Sequence, residues 1–128
     1  MLRAVLALAV GWIAAPALGG DAVSFQRDIA PLLKSHCAPC HLTGDEGGKM
    51  ALHPAAAYQT LVGVKSIESP LLRVKPGDPD KSYIVRKVEG THLEAGGMGL
   101  RMPMDGSYLQ PEEIKLIRDW IRAGAPKN

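Results

Sequence analysis

Cys37-Ala38-Pro39-Cys40-His41 is the stretch around which the chain is organised. Two intervening residues set Cys37 and Cys40 on one side of a helical turn, so both sulfurs face the same way. The residue that follows, His41, presents an imidazole directly below that edge. This C-x-x-C-H spacing is the pattern of covalent c-type haem attachment: two thiols add across two vinyl groups and the histidine nitrogen becomes the proximal iron ligand. Three rival readings are weaker. A thioredoxin-like redox pair opens a helix after a strand, and no strand pattern precedes Cys37. A zinc site built with His36, His41, His53 or His92 needs a second closely spaced ligand pair, which the chain does not offer. A plain structural disulfide would leave His41 without a role.

The chain has 128 residues, the size of one small domain, with 46% apolar and 22% charged residues. Only one Phe, two Trp and three Tyr are present, so a bulky apolar cofactor would add much to a core this small. Formal net charge is +2; without Arg3 it falls to about +1, 14 basic against 13 acidic residues. This near-neutral balance argues against nucleic acid or an anionic membrane surface as a partner.

Residues 1–20 read as a secretory signal peptide, with Arg3 in a short positive region, Ala4 to Ala15 as the apolar stretch and small residues at 17–19 for cleavage. The apolar run is short for a bilayer span and is interrupted by Pro16, which favours cleavage over an anchor. Residues 21–128 are then one exported, periplasmic domain with no stable membrane insertion.

Phe25, Ile29, Leu32, Leu33 and His36 recur at helical steps. This first helix is expected to begin near Ser24 or Asp28, and Asp28 as N-cap would place Pro31 in the first turn. Asp45 and Glu46 lie in a glycine-bearing loop and read as solvent-facing. A carbonyl from Leu52, His53 or Pro54 is expected to accept the second ring N–H of His41. A short helix over Ala55 to Val62 ends at Gly63. Residues Gly63 to Leu72 stay open between extended and loop structure. Asp80 is expected to cap a helix through Val88, ended by Gly90. The last helix starts with Gln110 as cap, Pro111 at the first position and Glu112 and Glu113 at the positive end. Its buried stripe is Ile114, Ile117, Trp120 and Ile121, and Gly124 with Pro126 stops it.

Ahead of that helix lies Leu100-Arg101-Met102-Pro103-Met104. A thioether is a soft neutral ligand that, paired with histidine, raises the potential of haem iron. Any methionine is also a flexible core filler. Met102, in a loop beside a stiffening proline, is the preferred distal ligand, with Met104 as runner-up.

These residues together give the chain a resemblance to class I-type cytochrome c domains. It is similar to compact bacterial members that place Phe-x-x-Asp-Ile-x-Pro-Leu-Leu before the haem motif, here Phe25, Asp28, Ile29, Pro31, Leu32 and Leu33. Gly47-Gly48, Pro76-Gly77-Asp78-Pro79 with Ser82, Met102-Pro103 and Trp120-Ile121-x-x-Gly124-Ala125 extend the match over residues 24–126. The resemblance implies an all-α fold in which N- and C-terminal helices cross over one covalently held haem. It implies Cys37 and Cys40 as the thioether attachments, His41 and Met102 as the axial iron ligands, and Phe25 with Trp120 at the helix crossing. The expected function is that of a soluble monohaem electron-transfer protein, not an enzyme, exchanging electrons with redox partner proteins. The alternative is a haem subunit of a larger dehydrogenase or oxidase, or a peroxidase-like or sensing protein with an open distal site.

Overall fold

The computed structural model describes residues 20–128, and the leader expected over the first twenty residues lies outside them but for Gly20. The fold is all-helical. A π-helical turn, Phe25–Ile29, runs directly into α1, Ala30–His36; α2 is Ala57–Leu61, a 3₁₀ turn covers Pro79–Lys81, α3 is Tyr83–Glu89 and α4 is Pro111–Arg122. Among the described residues there is no strand. The stretch between α2 and α3 is instead pinned by isolated bridges, Val62 to Val74, Lys65 to Leu72 and Leu72 to Ser82.

The N-terminal element takes the first of its two expected starts: Ser24 is the N-cap and Asp28 is not, and the Ser24 hydroxyl accepts the Arg27 N–H at 3.2 Å. Asp28 lies inside the first turn, where its carboxylate accepts the Ser24 N–H at 2.8 Å. Phe25 is therefore not in a separate turn. The reason lies in Pro31, whose ring would collide with the carbonyl four residues back in a regular α-helix. The wider π turn just upstream gives that ring room and keeps the helix continuous.

The next cap differs from expectation. Asp78, not Asp80, accepts the Lys81 N–H at 3.1 Å and starts the 3₁₀ turn. Asp80 instead accepts a hydrogen bond from Arg118 of α4 at 2.9 Å. α3 ends at Gly90 as expected, with φ +81° in the left-handed region that glycine tolerates. α4 begins at Pro111, and the Gln110 N–H donates to the Glu113 carboxylate at 2.8 Å, the backward half of a capping box.

α4 buries Ile117, Trp120 and Ile121 against the N-terminal turn. The Phe25 and Trp120 rings lie 5.4 Å apart between centroids, and Tyr58 of α2 meets the Phe25 ring edge-on at 5.1 Å. Such pairs add about 0.5–1.5 kcal/mol beyond their buried area. The polar tips are satisfied: Trp120 Nε1 donates to the Pro126 carbonyl at 3.0 Å, and the Tyr58 hydroxyl to the Ala125 carbonyl at 2.9 Å. Terminal segments lock the crossing further, with the Ser24 hydroxyl and the Gln26 N–H both donating to the Asn128 carbonyl at 2.9 Å. This aromatic corner fixes where α1 ends, and α1 delivers the cysteine turn.

Candidate functional site

The cysteine turn grows out of α1. The N–H groups of Cys37 and Ala38 both donate to the Leu33 carbonyl at 2.9 Å, so the helix closes at Cys37. The Cys37 carbonyl then accepts the N–H of Cys40 at 3.2 Å and of His41 at 3.0 Å. One carbonyl thus gathers the second cysteine and the histidine into the same tight turn.

A cavity of about 280 Å³ opens beside this turn. Cys37, Cys40 and His41 line it, as do Met102 and Met104 from the far end of the chain, and its apolar wall includes Leu52, Leu61, Ile84 and Val88. Every site residue expected from the sequence therefore borders one cavity. Met102 is half-buried, and its backbone N–H donates to the Lys87 carbonyl of α3 at 3.0 Å. Met104 is 62% exposed.

The two thiols are free. Burial pushes Cys37 up to about 11, and the neighbouring Cys40 adds to the shift. A redox-active pair works through a thiol whose pKa is depressed by nearby positive charge. Cys37 goes the other way, so the thioredoxin-like reading loses its chemistry. The zinc reading also weakens, because no three His, Cys, Asp or Glu side chains among the described residues converge to hold a metal ion. A porphyrin-borne iron needs only axial ligands from the chain, and the imidazole of His41 with the thioether of Met102 is such a set.

The surroundings of His41 differ from expectation. Among the described residues no carbonyl takes its ring N–H: Nδ1 is buried without a hydrogen-bond partner there. The 50–54 segment meets His41 through backbone instead, with the Leu52 N–H donating to the His41 carbonyl at 2.7 Å. The His53 carbonyl is already engaged by the N–H groups of Ala56 and Ala57 at 3.0 and 2.9 Å, at the start of α2. A buried, unpartnered imidazole nitrogen is costly in a finished core. His92 Nδ1 is buried and unpartnered in the same way among the described residues. Two free thiols at attachment spacing, an imidazole and a thioether on the same cavity make the residues fit for haem c.

Four charged residues, Glu68, Arg73, Lys87 and Asp105, border the cavity without having been singled out beforehand. Arg73 is 7% exposed and donates to the carbonyls of Thr60, Gly48 and Lys49 at 2.7, 2.8 and 3.0 Å. It ties the glycine loop to α2, and burial lowers its pKa. Lys87 is 8% exposed, with its ammonium 2.9 Å from the carbonyls of Met98 and Leu100 and 3.8 Å from the Glu68 carboxylate. For Lys87 a signal exists in the sequence: it stands four residues after Tyr83 and three after Ile84, on the inward face of α3. Arg73 and Glu68 fall in the aperiodic stretch, where nothing marks them.

Glu46 also plays a larger part than a solvent-facing carboxylate. It accepts the N–H groups of Thr43 at 3.1 Å and Gly44 at 2.9 Å, and the Thr43 hydroxyl at 3.0 Å. The backbone bond from Thr43, first among several, holds its pKa down at about 2. The loop it organises carries Gly47 and Gly48 to the cavity wall. Asp45 is exposed, as expected.

Comparison with protein-family models, with curated proteins and with solved structures finds no match to this chain. Among the described residues no helix is long and apolar enough to cross a membrane. The chain is thus read from its own geometry: an all-helical domain whose C-x-x-C-H turn and methionine loop border one largely apolar cavity.

Proposed function

We propose that the chain is an exported monohaem cytochrome c whose role is to carry single electrons between redox partner proteins. The observation that carries this reading is the convergence of Cys37, Cys40, His41 and Met102 on one cavity. Cys37 and Cys40 would hold haem c through thioether bonds, His41 would be the proximal iron ligand and Met102 the distal one. Bound there, the haem iron would supply one-electron redox chemistry, at a relatively high potential for His/Met ligation.

The chain's own residues do the rest. The Cys37 carbonyl fixes the turn that presents both sulfurs and the imidazole. Leu52, Leu61, Ile84 and Val88 keep water from the cavity wall. Met102 is preferred over Met104 because its backbone is tied to α3, whereas Met104 is mostly exposed. With His41 and Met102 both holding the iron, no open site would remain for a substrate, and the protein would have no catalytic activity of its own.

A spectroelectrochemical titration of the purified protein tests this function. It should be reversible and follow a single one-electron Nernst curve, with no peroxidase or oxygen-consuming turnover. Turnover with peroxide, or rapid binding of carbon monoxide to the reduced protein, would mark an open distal site and overturn the carrier reading.

A further inference from the structure

We propose that Lys87 is a positioning residue for the distal ligand: its buried ammonium and its own backbone carbonyl hold loop 98–102 so that Met102 is presented to the cavity. The inference rests on the haem reading above and adds to it a residue that is not a ligand.

Three contacts carry it. Lys87 Nζ donates to the carbonyls of Met98 and Leu100, both at 2.9 Å, and the Lys87 carbonyl accepts the Met102 N–H at 3.0 Å. One helical residue thus grips alternate positions of the loop. The other groups around the ammonium are the Glu68 carboxylate at 3.8 Å and the Tyr83 ring, whose centroid lies 5.8 Å away. The Tyr83 hydroxyl in turn accepts the Met98 N–H at 3.3 Å.

The loop needs such a grip. Gly99 lies within the loop and Gly96 and Gly97 lead into it, and glycine backbones lose more freedom on ordering than those of any other residue. No side chain fits at Gly97, where an added Cβ would stand 2.6 Å from the His92 carbonyl oxygen and from the Tyr83 ring edge. The loop is therefore pressed onto α3, and Lys87 shares the grip with two other side chains: His92 Nε2 meets the Gly99 carbonyl at 2.9 Å and Arg101 Nε donates to the Val88 carbonyl at 2.9 Å. A buried ammonium is expensive, and an apolar side chain of the same length would pack at lower cost. What lysine adds is donors, and both short hydrogen bonds go to the methionine loop. Charge-assisted bonds of this kind are about twice as strong as neutral ones.

The test uses haem-loaded wild type, K87M, K87R and V85A. K87M keeps the length and apolar stem but has no donor; K87R restores charge and donors; V85A opens space on the same helix. Covalent haem per chain, far-ultraviolet circular dichroism, the weak red absorption band of methionine-ligated ferric iron and imidazole affinity of the ferric protein are measured on each. K87M should retain haem and helix but lose most of the red band and bind imidazole about tenfold more tightly, since displacing a loosened methionine is easier. K87R should recover much of the band. V85A should lower the melting temperature and leave band and affinity unchanged. A K87M protein with an intact band and imidazole affinity within about twofold of wild type overturns the inference. Should K87M fail to fold, K87Q is read by the same two criteria. A wild-type protein without covalent haem or without the red band overturns the functional reading itself, and this inference with it.

Discussion

Where the terminal elements meet, Phe25, Tyr58 and Trp120 hold the fold mainly by apolar and aromatic packing, with hydrogen bonds at the ring tips and from Ser24 and Gln26 to the Asn128 carbonyl. Around the cavity the means are different. Loop 43–49 is wrapped on the Glu46 carboxylate, the glycine pair is tied to α2 by Arg73, and the methionine loop is tied to α3 by Lys87. Packing is non-directional and scales with buried area, so the aromatic corner sets stability. Hydrogen bonds to named carbonyls are directional, so the polar clamps set geometry. A substitution in the first region should cost folding free energy and leave the ligands of the folded fraction unchanged. One in the second should alter ligation or loop order at a smaller cost in stability.

The sharpest separation comes from Trp120→Ala. Trp120 is 1% exposed and sits at the centre of the corner, so its truncation should lower stability by about 3–5 kcal/mol in denaturant unfolding. The red methionine–iron band per folded molecule should not change. If that band disappears while the protein remains folded, the two regions are not independent.

Met102→Ala should do the reverse. It should abolish the red band and open the iron to exogenous ligands, while the unfolding midpoint of the ferrous protein moves less than in Trp120→Ala. Met104→Ala should leave the band in place. A band lost only in Met104→Ala would transfer the distal role to Met104.

The smallest effect concerns pH. The Glu46 carboxylate titrates at about 2 in the fold against an ordinary 4.5. A depressed acid stabilises the fold above its ordinary value and loses that contribution as pH falls through the folded value. Amide exchange in loop 43–49 should thus rise as pH drops from about 4.5 towards 2, after correction for intrinsic rates, ahead of exchange in α4. Glu46→Gln should abolish this step. Exchange that rises in loop and helix together would show that the loop is not a separate unit.

Much of this organisation could be read from local pattern. The C-x-x-C-H turn is local in sequence, and its geometry follows from one helical turn. The Ile117, Trp120, Ile121 stripe and the Pro111 start are helix-periodic, so α4 lies where the pattern placed it. Phe25 against Trp120 came from resemblance rather than periodicity, since the two rings are 95 positions apart in sequence. What escaped depends on long-range polar contacts. Arg73 reaches carbonyls in two other segments, and Lys87 reaches a loop that no periodicity describes. Ser24 and Asp28 satisfy the capping rule equally well, so the sequence left both starts open and did not show the π turn; only the room needed by Pro31 decides between them. The Asp78 cap was missed for a related reason, since Asp78 just before the turn and Asp80 within it are both capping types, and Arg118 claims the second. The unpartnered His41 nitrogen is a property of packing, visible only once the His53 carbonyl is seen to serve α2.

The central claim is that Cys37 and Cys40 carry haem. Its most direct test is acid–acetone extraction of the purified, exported protein, followed by the pyridine haemochrome spectrum and intact mass of the polypeptide. The account predicts one haem per chain that stays with the polypeptide, and a mass increase that disappears in the Cys37→Ala, Cys40→Ala double variant. Haem that extracts fully into the acetone, or a polypeptide of unmodified mass with both thiols titratable, would contradict it.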